Sequence, residues 1–531
     1  MRLFKRSSSK KNRSASQNIE AEKKLISGNA DETKEEVKRL FGNSSDLDMT
    51  PIYNSEHIRL TAIYIDVLAD KRSLDSLSIE ISQLACNIEN NSSSTKDKES
   101  DQSFQVLKSI IPSFRKFTSG NDFNCLCNEI VSGNTVLLMD GCDKFISVST
   151  LKPQGRSVQE PTSQSTVRGP KNAFIEESNV NIALIRQRIR TNLLRCEQMT
   201  IGAVAHTKIS LMYIEGIAKP EIINEIRRRL STIRIDGILD SGYIVELIKD
   251  DRYSIFPTIL NSEKPDSVCS DLLNGKVAIL VDGSAYVLTA PAFFFDFLHA
   301  SDDYYHNFIF ASFVRLLRLI SLCLTLFVPA TYVALLTFHH EMIPTKLLIN
   351  IASQREGVPF PALVEVIIME SVFEILREAS IRIPRVIGPA ISIAGALVLG
   401  QAVVEASIVS AAVVIVVSVT AIASFTIPNY SLSNSIRVLR FVFILVAAPF
   451  GLYGIFMGVI VLILHLCKLK SIGVPYMTPI APLTKYVPNN TIVRYPLWWI
   501  KYRQTGVSKD DSEKTSVPPV DPIQKRKQEF K

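Results

Sequence analysis

Apolar and polar positions divide the chain into a polar part, up to about residue 305, and an apolar part from there to about residue 485. Four windows in the apolar part lack charged residues and are long enough to cross a hydrocarbon core, which needs roughly 20 apolar residues. They are Leu319–Phe338, Val386–Val404, Ala406–Pro428 and Phe441–Leu464. The hydropathy pattern therefore predicts an all-α polytopic membrane domain with four spans over 306–485, and not the buried helices of a soluble protein.

Between the first two windows lies an apolar segment, 360–376, that we predict to be one further membrane-associated amphipathic helix. It carries or borders four acids: Glu365, Glu370, Glu374 and Glu378. The last three follow an i, i+4, i+8 spacing, so they drift by only about 40° per step and share one helical face. Ionisable side chains at membrane depth usually face a bundle interior or a water-filled cavity.

Two interpretations of this acidic face stay open on sequence alone. If several copies of the chain surround an axis, the acids form stacked carboxylate rings, which attract cations and border an ion path. Alternatively the helix is interfacial, and its acids are solvated or paired with Arg377, Arg382 and Arg385.

The second span has a smooth side, because small residues recur every four positions. They are Gly388, Ser392, Ala396 and Gly400. Such a stripe permits close packing of helices, and it also suits a narrow pore wall. Glu405 follows between two long apolar runs, which makes it either a candidate for the ion path or a short-loop residue.

The polar half contains an internal repeat. "HIRLTAIYIDVLAD" at 57–70 matches "HTKISLMYIEGIAK" at 206–219, and "SGNTVLLMDGCDKFISVST" at 132–150 matches "NGKVAILVDGSAYVLTAP" at 274–291. Asp140-Gly141 falls on Asp282-Gly283, and Asp-Gly between apolar runs is a strong hairpin signal. The repeat predicts two similar α/β subdomains, 51–160 and 161–305, whose aspartates serve turns and strand ends.

A basic helix is predicted at 181–190, "NIALIRQRIR". Its isoleucines lie on one stripe, which indicates packing on the second subdomain. The basic residues off that stripe are alternative candidates for contact with lipid headgroups or an acidic partner. They are Arg186, Arg188 and Arg190.

The ends of the chain, its motifs and its net charge further restrict the possible functions. We predict a disordered basic arm at 1–50 and a charged tail at 486–531. No phosphate loop, dinucleotide motif, zinc-protease motif or nucleophile elbow occurs in a suitable context, so we expect no enzyme, cofactor or metal site. The net charge of +7 comes from the tails and span ends and does not indicate nucleic acid. Without an apolar secretory segment at the N-terminus, we expect the N-terminal domain to be cytosolic.

Four motifs resemble the A subunit of the GerA-type spore germinant receptors. They are "STVRGPKNAFIEESNVNIALIRQRIR" (165–190), "REGVPFPALVEVIIMESVFEILREASIRIPR" (355–385), "GALVLGQAVVEASIVSAAVVIVVSVTAIASFTIPNYSLSNSIRVLRF" (395–441) and "LKSIGVPYMTPIAP" (469–482). The resemblance runs from about residue 50 to 505. In the closing segment Gln504 stands where the family pattern has proline, which bears on how the tail docks.

The resemblance implies a multi-pass protein of the inner membrane of the bacterial spore. It implies two partners, a transporter-like B subunit that senses the nutrient and a lipoprotein C subunit. It further implies a homo-oligomer, a pentamer in this family, that forms a nutrient-gated cation channel. The alternatives are a non-conducting scaffold, a homologous spore membrane protein with a different partner, and a secondary transporter. The last is disfavoured, because the visible duplication lies in the polar half and not among the spans.

Overall fold

The structure, a computed structural model, describes residues 25–54, 59–91, 117–151, 161, 164, 168–382, 400–482, 491–500, 503 and 506–508. The chain divides into two compact units. The α/β unit comprises Met1–Lys249, Asn261–Pro291 and Leu497–Lys531, and the helical unit comprises Asp250–Leu260 and Ala292–Pro496.

The first repeat of the α/β unit is built on a five-stranded sheet with the order β1-β2-β4-β5-β3. Its elements are α1 (Ala30–Leu40), β1 (Leu47–Asn54), β2 (Arg59–Ile65), α2 (Lys71–Asn91), β3 (Phe117–Gly120), α3 (Phe123–Val131), β4 (Thr135–Met139) and β5 (Phe145–Val148). The prediction of a disordered arm up to residue 50 is wrong from residue 30 onward, because α1 buries Val37 and the start of β1 pairs with β2. Its short length and many charges hid this helix in the sequence.

The second repeat has the same strand order, β6-β7-β9-β10-β8. Its elements are α4 (Ser178–Arg188), β6 (Leu194–Ile201), β7 (Thr207–Ile214), α5 (Pro220–Thr232), α6 (Ser241–Ile248), β8 (Leu260–Ser262), α7 (Pro265–Leu273), β9 (Val277–Val281) and β10 (Val287–Ala290). Two similar α/β subdomains were predicted, and the identical order of strands confirms them.

Alternation along the central strands places helices on both faces of the first sheet. Ile63 and Ile65 of β2 pack with residues of α1 and α3. Leu60 and Ala62 of the same strand belong to a second cluster with Leu77 of α2. Because successive side chains of a strand point to opposite faces, one strand supplies both cores.

The two Asp-Gly turns hold the first helix of each repeat. Asp140 Oδ1 accepts a hydrogen bond from the amide of Ala30 at 3.3 Å, and Asp282 Oδ1 accepts one from the amide of Ser178 at 3.1 Å. A carboxylate at a helix N-terminus satisfies one of its free amides and opposes the helix dipole. These aspartates therefore have a structural role in the turns, as predicted, and they also cap the helices, which was not predicted.

The helical unit contains two helices that are long and apolar enough to cross a membrane, judged by length and composition among the described residues. These are α8 (Phe308–Thr337) and α12 (Tyr430–Lys468). Between them lie α9 (Thr345–Arg355), α10 (Ala362–Arg382) and α11 (Ala411–Ser424). The helical unit also contains short 3-10 helices at Phe294–Leu298, Ser301–Tyr304 and His340–Met342 and two small strands, β11 (Lys470–Ser471) and β12 (Val474–Pro475). A further 3-10 helix, Leu497–Trp499, belongs to the α/β unit.

Two of the four predicted spans coincide with these long helices. Window 319–338 falls on α8, and window 441–464 lies within α12. Window 406–428 contains only the 14 residues of α11, and 386–399 lies outside the described residues. The four-span topology therefore stays a prediction. Within α12 the backbone leaves helical geometry at Gly451 (φ 60°), two residues after Pro449, whose ring removes a helical hydrogen bond.

The beginning of α8 is fixed by a buried carboxylate. Asp303 Oδ2 accepts hydrogen bonds from Arg315 Nε at 3.0 Å and from Arg318 Nη1 at 2.9 Å. Burial alone would raise the pKa of Asp303, but the hydrogen bond and charge of Arg318 and the charge of Arg315 outweigh it and lower this pKa. The two cations ahead of the first apolar window thus share one buried carboxylate.

Candidate functional site

The acidic face predicted for α10 exists, and its members differ in exposure. Glu370 is fully buried, the Glu374 side chain is 22% exposed, and the Glu378 side chain is 60% exposed. The remaining helix is rich in apolar residues, of which Val366 is buried in the core of the helical unit. The three carboxylates therefore form a line that leads from the interior of the helical unit to its surface.

Two arginines of α12 face the inner part of this line. Arg440 Nη2 lies 2.8 Å from Glu370 Oε2 and 2.8 Å from Glu374 Oε1. Arg437 Nη1 donates a hydrogen bond to Glu374 Oε2 at 2.7 Å. The sequence-based alternative paired the acids with Arg377, Arg382 or Arg385, whereas the partners of these two glutamates lie on α12.

The pairing of Arg440 is incomplete. One nitrogen, Nη2, serves both acids, whereas Nε and Nη1 find no hydrogen-bond partner among the described residues. Neither oxygen of Glu370 accepts a well-directed hydrogen bond from that part of the chain either. Burying charges that are not fully hydrogen-bonded costs free energy. Two carboxylates thus compete for one guanidinium in a buried site.

The outer part of the line is held differently. Glu378 pairs with Arg382 one helical turn later, at 2.7 Å, as one of the predicted arginine partners. Arg377 instead lies over the rings of Phe425 and Tyr430, at 5.6 and 5.9 Å from their centroids. Arg385 lies outside the described residues.

Glu365 belongs to a separate contact. Its buried carboxylate accepts hydrogen bonds from the amide and hydroxyl of Ser410, at 3.0 and 2.9 Å, and from Arg355 Nε at 3.1 Å. Ser410 precedes the first residue of α11. Glu365 therefore ties α9, α10 and the beginning of α11 together, a role that its spacing from the other acids gave no means of predicting.

Of the remaining membrane candidates, Glu405 and Gly400 are described. Glu405 is exposed near the end of a short helical stretch at 400–405. Gly388, Ser392 and Ala396 lie outside the described residues, so the smooth stripe stays a prediction.

The basic residues of α4 do not act together. Arg186 is buried and donates hydrogen bonds to Asp46, from Nε at 2.7 Å and from Nη2 at 2.8 Å. The prediction of a lipid or partner contact is wrong for this residue, because its guanidinium is buried and paired with Asp46 within the α/β unit. Arg188 is half-buried, and Arg190 is exposed. The spacing of the helix could not show that Asp46, 140 residues earlier, lies opposite Arg186.

The chemistry of the site follows from its residue types. No group of three or more metal-ligating side chains converges within the described ranges. The α10 line offers carboxylates of graded exposure beside the long arginine side chains of α12, an arrangement that suits the attraction of cations or the fastening of two helices.

Comparison with known proteins identifies the family. The family model described as Bacillus/Clostridium GerA spore germination protein matches residues 35–505. Spore germination protein KA of Bacillus subtilis (strain 168) is 42% identical over 489 residues, covering 92% of this chain and 88% of that protein. Spore germination protein GerLA of Bacillus cereus is 36% identical, covering 92% and 97%.

A solved structure is also similar. It is the N-terminal domain of the A subunit of the Bacillus megaterium spore germinant receptor GerK3, at 32% identity, with a TM-score of 0.41, covering 51% of this chain and 98% of that one. The match of the family model over most of the chain, together with relatives that align along nearly their whole length, gives the assignment: the chain belongs to the GerA family of spore germination proteins.

Proposed function

We propose that this chain is the A-type membrane subunit of a nutrient-responsive germinant receptor, and that it contributes a gated cation path to the inner membrane of the spore. Membership of the family carries the role in germination. The path, the assembly and the location are our proposal.

The observation that carries the proposed path is the graded exposure of the acids on α10, from 0% at Glu370 through 22% at Glu374 to 60% at Glu378. Each step of four residues advances about 6 Å along the helix, so the line extends over about 12 Å. Carboxylates spaced in this way provide successive binding sites for a cation that moves from the surface to the interior. Multiple weak sites allow an ion both to enter and to leave.

Gating follows from the arginines of α12. In the present arrangement Arg437 and Arg440 neutralise Glu374 and Glu370, and a neutralised line has no excess attraction for cations. Movement of α12 away from α10 would bare the acids. The shared, incomplete pairing of Arg440 supports such a two-state arrangement, because neither acid holds the guanidinium alone. A signal from a separate site would bias this equilibrium through a coupling free energy.

The proposed assembly supplies that signal. We infer that the receptor contains a transporter-like B subunit that binds the nutrient, a lipoprotein C subunit and several copies of the present chain. The resemblance to the family implies five copies. Around a common axis the α10 lines would become rings of carboxylates. The N-terminal α/β unit would face the cytosol.

A non-conducting scaffold is the second candidate, and one observation favours it. Glu365, Glu370, Glu374 and Glu378 all have an arginine within ion-pair distance. Acids that only fasten helices would be paired in this way. Under this interpretation their neutralisation would alter assembly and not current.

The experiment that separates the two uses the purified receptor, reconstituted with its B and C partners in a planar bilayer under a KCl gradient. We expect a current that appears when a mixture of amino acids and sugars is added and that is absent without the present chain. Assembled, nutrient-binding receptor that passes no current would contradict the channel and favour the scaffold.

A further inference from the structure

After its last strand the first repeat makes one further backbone contact. Three residues beyond β5 the chain forms an isolated antiparallel bridge, Leu151 with Ala69. The amide of Asp70 donates a hydrogen bond to the carbonyl of Thr150 at 2.8 Å. The chain that has just left the sheet thus lies against the segment that joins β2 to α2.

The second repeat cannot be completed in this way, because after β10 its chain passes into the helical unit at Ala292. The corresponding place is nevertheless filled. Ala218 makes an antiparallel bridge with Ser508, and the amide of Lys219 donates to the carbonyl of Val507 at 3.2 Å. Ala218 and Lys219 fall on Ala69 and Asp70 in the aligned segments 206–219 and 57–70.

The packing of the two places is equally similar. Gly133 and Gly275 correspond in sequence and have φ of +88° and +97°. A Cβ atom on Gly133 would lie 2.6 Å from Leu151 Cδ1, and one on Gly275 would lie 3.1 Å from Ser508 Cα. Both glycines therefore leave room for the segment that passes over them.

The tail residues at this contact are buried. Val507 is 0% exposed and Ser508 is 3% exposed. A third contact lies earlier in the tail, where Arg503 Nη1 donates to the carbonyl of Leu273, the last residue of α7. Basic side chains favour the free carbonyls at a helix C-terminus.

We infer that Ala218, Lys219 and Gly275 form a docking site for an extended peptide segment, and that Gly506–Ser508 of the same chain is its occupant. The hydrogen bond between residues 507 and 219 is made by backbone atoms, so it does not depend on the side chains of the tail. Such contacts do not require proline at the position of Gln504. Leu497–Lys531 belongs to the α/β unit, and Val507 and Ser508 anchor this part of the chain to the second repeat.

Hydrogen exchange tests the docking in the full chain and in two matched truncations, one lacking 507–531 and one lacking 511–531. In detergent or nanodiscs, removal of 507–531 should speed exchange of the Lys219 amide by about tenfold, as expected for loss of one hydrogen bond. The amide of Asp70, its counterpart in the first repeat, should not change. The truncation that keeps 507–510 should behave as the full chain. Equal protection of Lys219 in all three chains would overturn the inference.

A pair of cysteines identifies the chain that supplies the tail. Residues paired across an antiparallel bridge have Cα atoms about 4.5 to 5.5 Å apart, within the range that a disulfide spans. Ala218→Cys with Ser508→Cys should therefore cross-link within one chain under oxidation, whereas either single variant should not. A cross-link found only between chains, or none at all, would contradict the assignment of the occupant.

Discussion

Arg440 places Nη2 2.8 Å from Glu370 Oε2, with the arginine side chain 1% exposed and the glutamate 0% exposed. A buried ion pair has little surplus free energy, because removing both charges from water offsets most of their attraction. Breaking it by removing one partner is a different matter, since the other charge stays behind without compensation. The pair therefore fastens α10 to α12 as long as both members are present.

The first prediction concerns this fastening. Arg440→Met should destabilise the helical unit by about 3 to 5 kcal/mol, because it leaves Glu370 buried and unpaired. Arg382→Met, which removes the exposed partner of Glu378 on the same helix, should cost about 0.5 kcal/mol or less. Thermal unfolding of the full chain in detergent measures both. Equal midpoints for the two variants would show that the buried pair is not needed for stability.

A second prediction concerns the buried contact between Arg186 and Asp46. Arg186→Met should lower the free energy of unfolding of the α/β unit by about 3 to 5 kcal/mol, since Asp46 would stay buried without its cation. The matched control is Arg190→Met on the same chain segment, where the side chain is exposed and the change should be within about 0.5 kcal/mol. Amide exchange in β1 and β6 reports the difference. If Arg190→Met were the more damaging change, the basic helix would be acting as a binding surface after all.

The turn aspartates should be interchangeable in their effects. Asp140→Ala and Asp282→Ala each remove a cap from the first helix of a repeat, α1 or α4, and each should cost about 1 kcal/mol. Exchange at the amides of Ala30 and Ser178 should accelerate in the matching variant alone. Loss of nutrient-triggered current in one variant without loss of protection would contradict a purely structural role.

The stability of the helical unit should depend on pH through the titration of His299. This partly buried imidazole donates from Nε2 to the carbonyl of Thr491 at 2.7 Å, since a carbonyl can only accept. Burial, and then the neighbouring charge of Arg315, lower its pKa from 6.5 to about 4. Between these values the unfolded chain binds the extra proton and the folded chain does not, so stability falls as the pH drops from 6.5 to about 4.

The variant His299→Gln keeps a donor near Nε2 and removes the titration. Its unfolding midpoint should therefore depend less on pH than that of the wild type over this window, with similar values above pH 7. Measuring midpoints at intervals from pH 7.5 to pH 4 compares the two. Parallel curves for variant and wild type would assign the acid sensitivity to other groups.

The features predicted correctly are those in which signal and partner lie close in the sequence. The strands around the Asp-Gly turns, the duplication and the line of acids on α10 all follow from local spacing. The partners of those acids do not: Arg437 lies 63 residues after Glu374 in the chain, and nothing in its surroundings marks the pairing.

The contact of the tail with the second repeat could not be predicted for the same reason, because its partners lie far apart in the sequence. Ser508 pairs with Ala218, and only the two backbone bridges show that it takes the place that Leu151 has in the first repeat. The helix α1 was missed for another reason. Its charged exposed face outweighs three buried residues in composition, although the cap by Asn29 and the acids of its first turn are present in the sequence.

The reversal potential of the receptor current shows whether the α10 acids border a cation path. The wild-type receptor, Glu374→Gln and the exposed control Glu356→Gln would be compared in planar bilayers under a KCl gradient. We expect a reversal potential near the potassium equilibrium potential for wild type and control, and a shift toward zero for Glu374→Gln, because a neutral amide attracts cations less. An unchanged potential in Glu374→Gln, with normal current, would remove these carboxylates from the path.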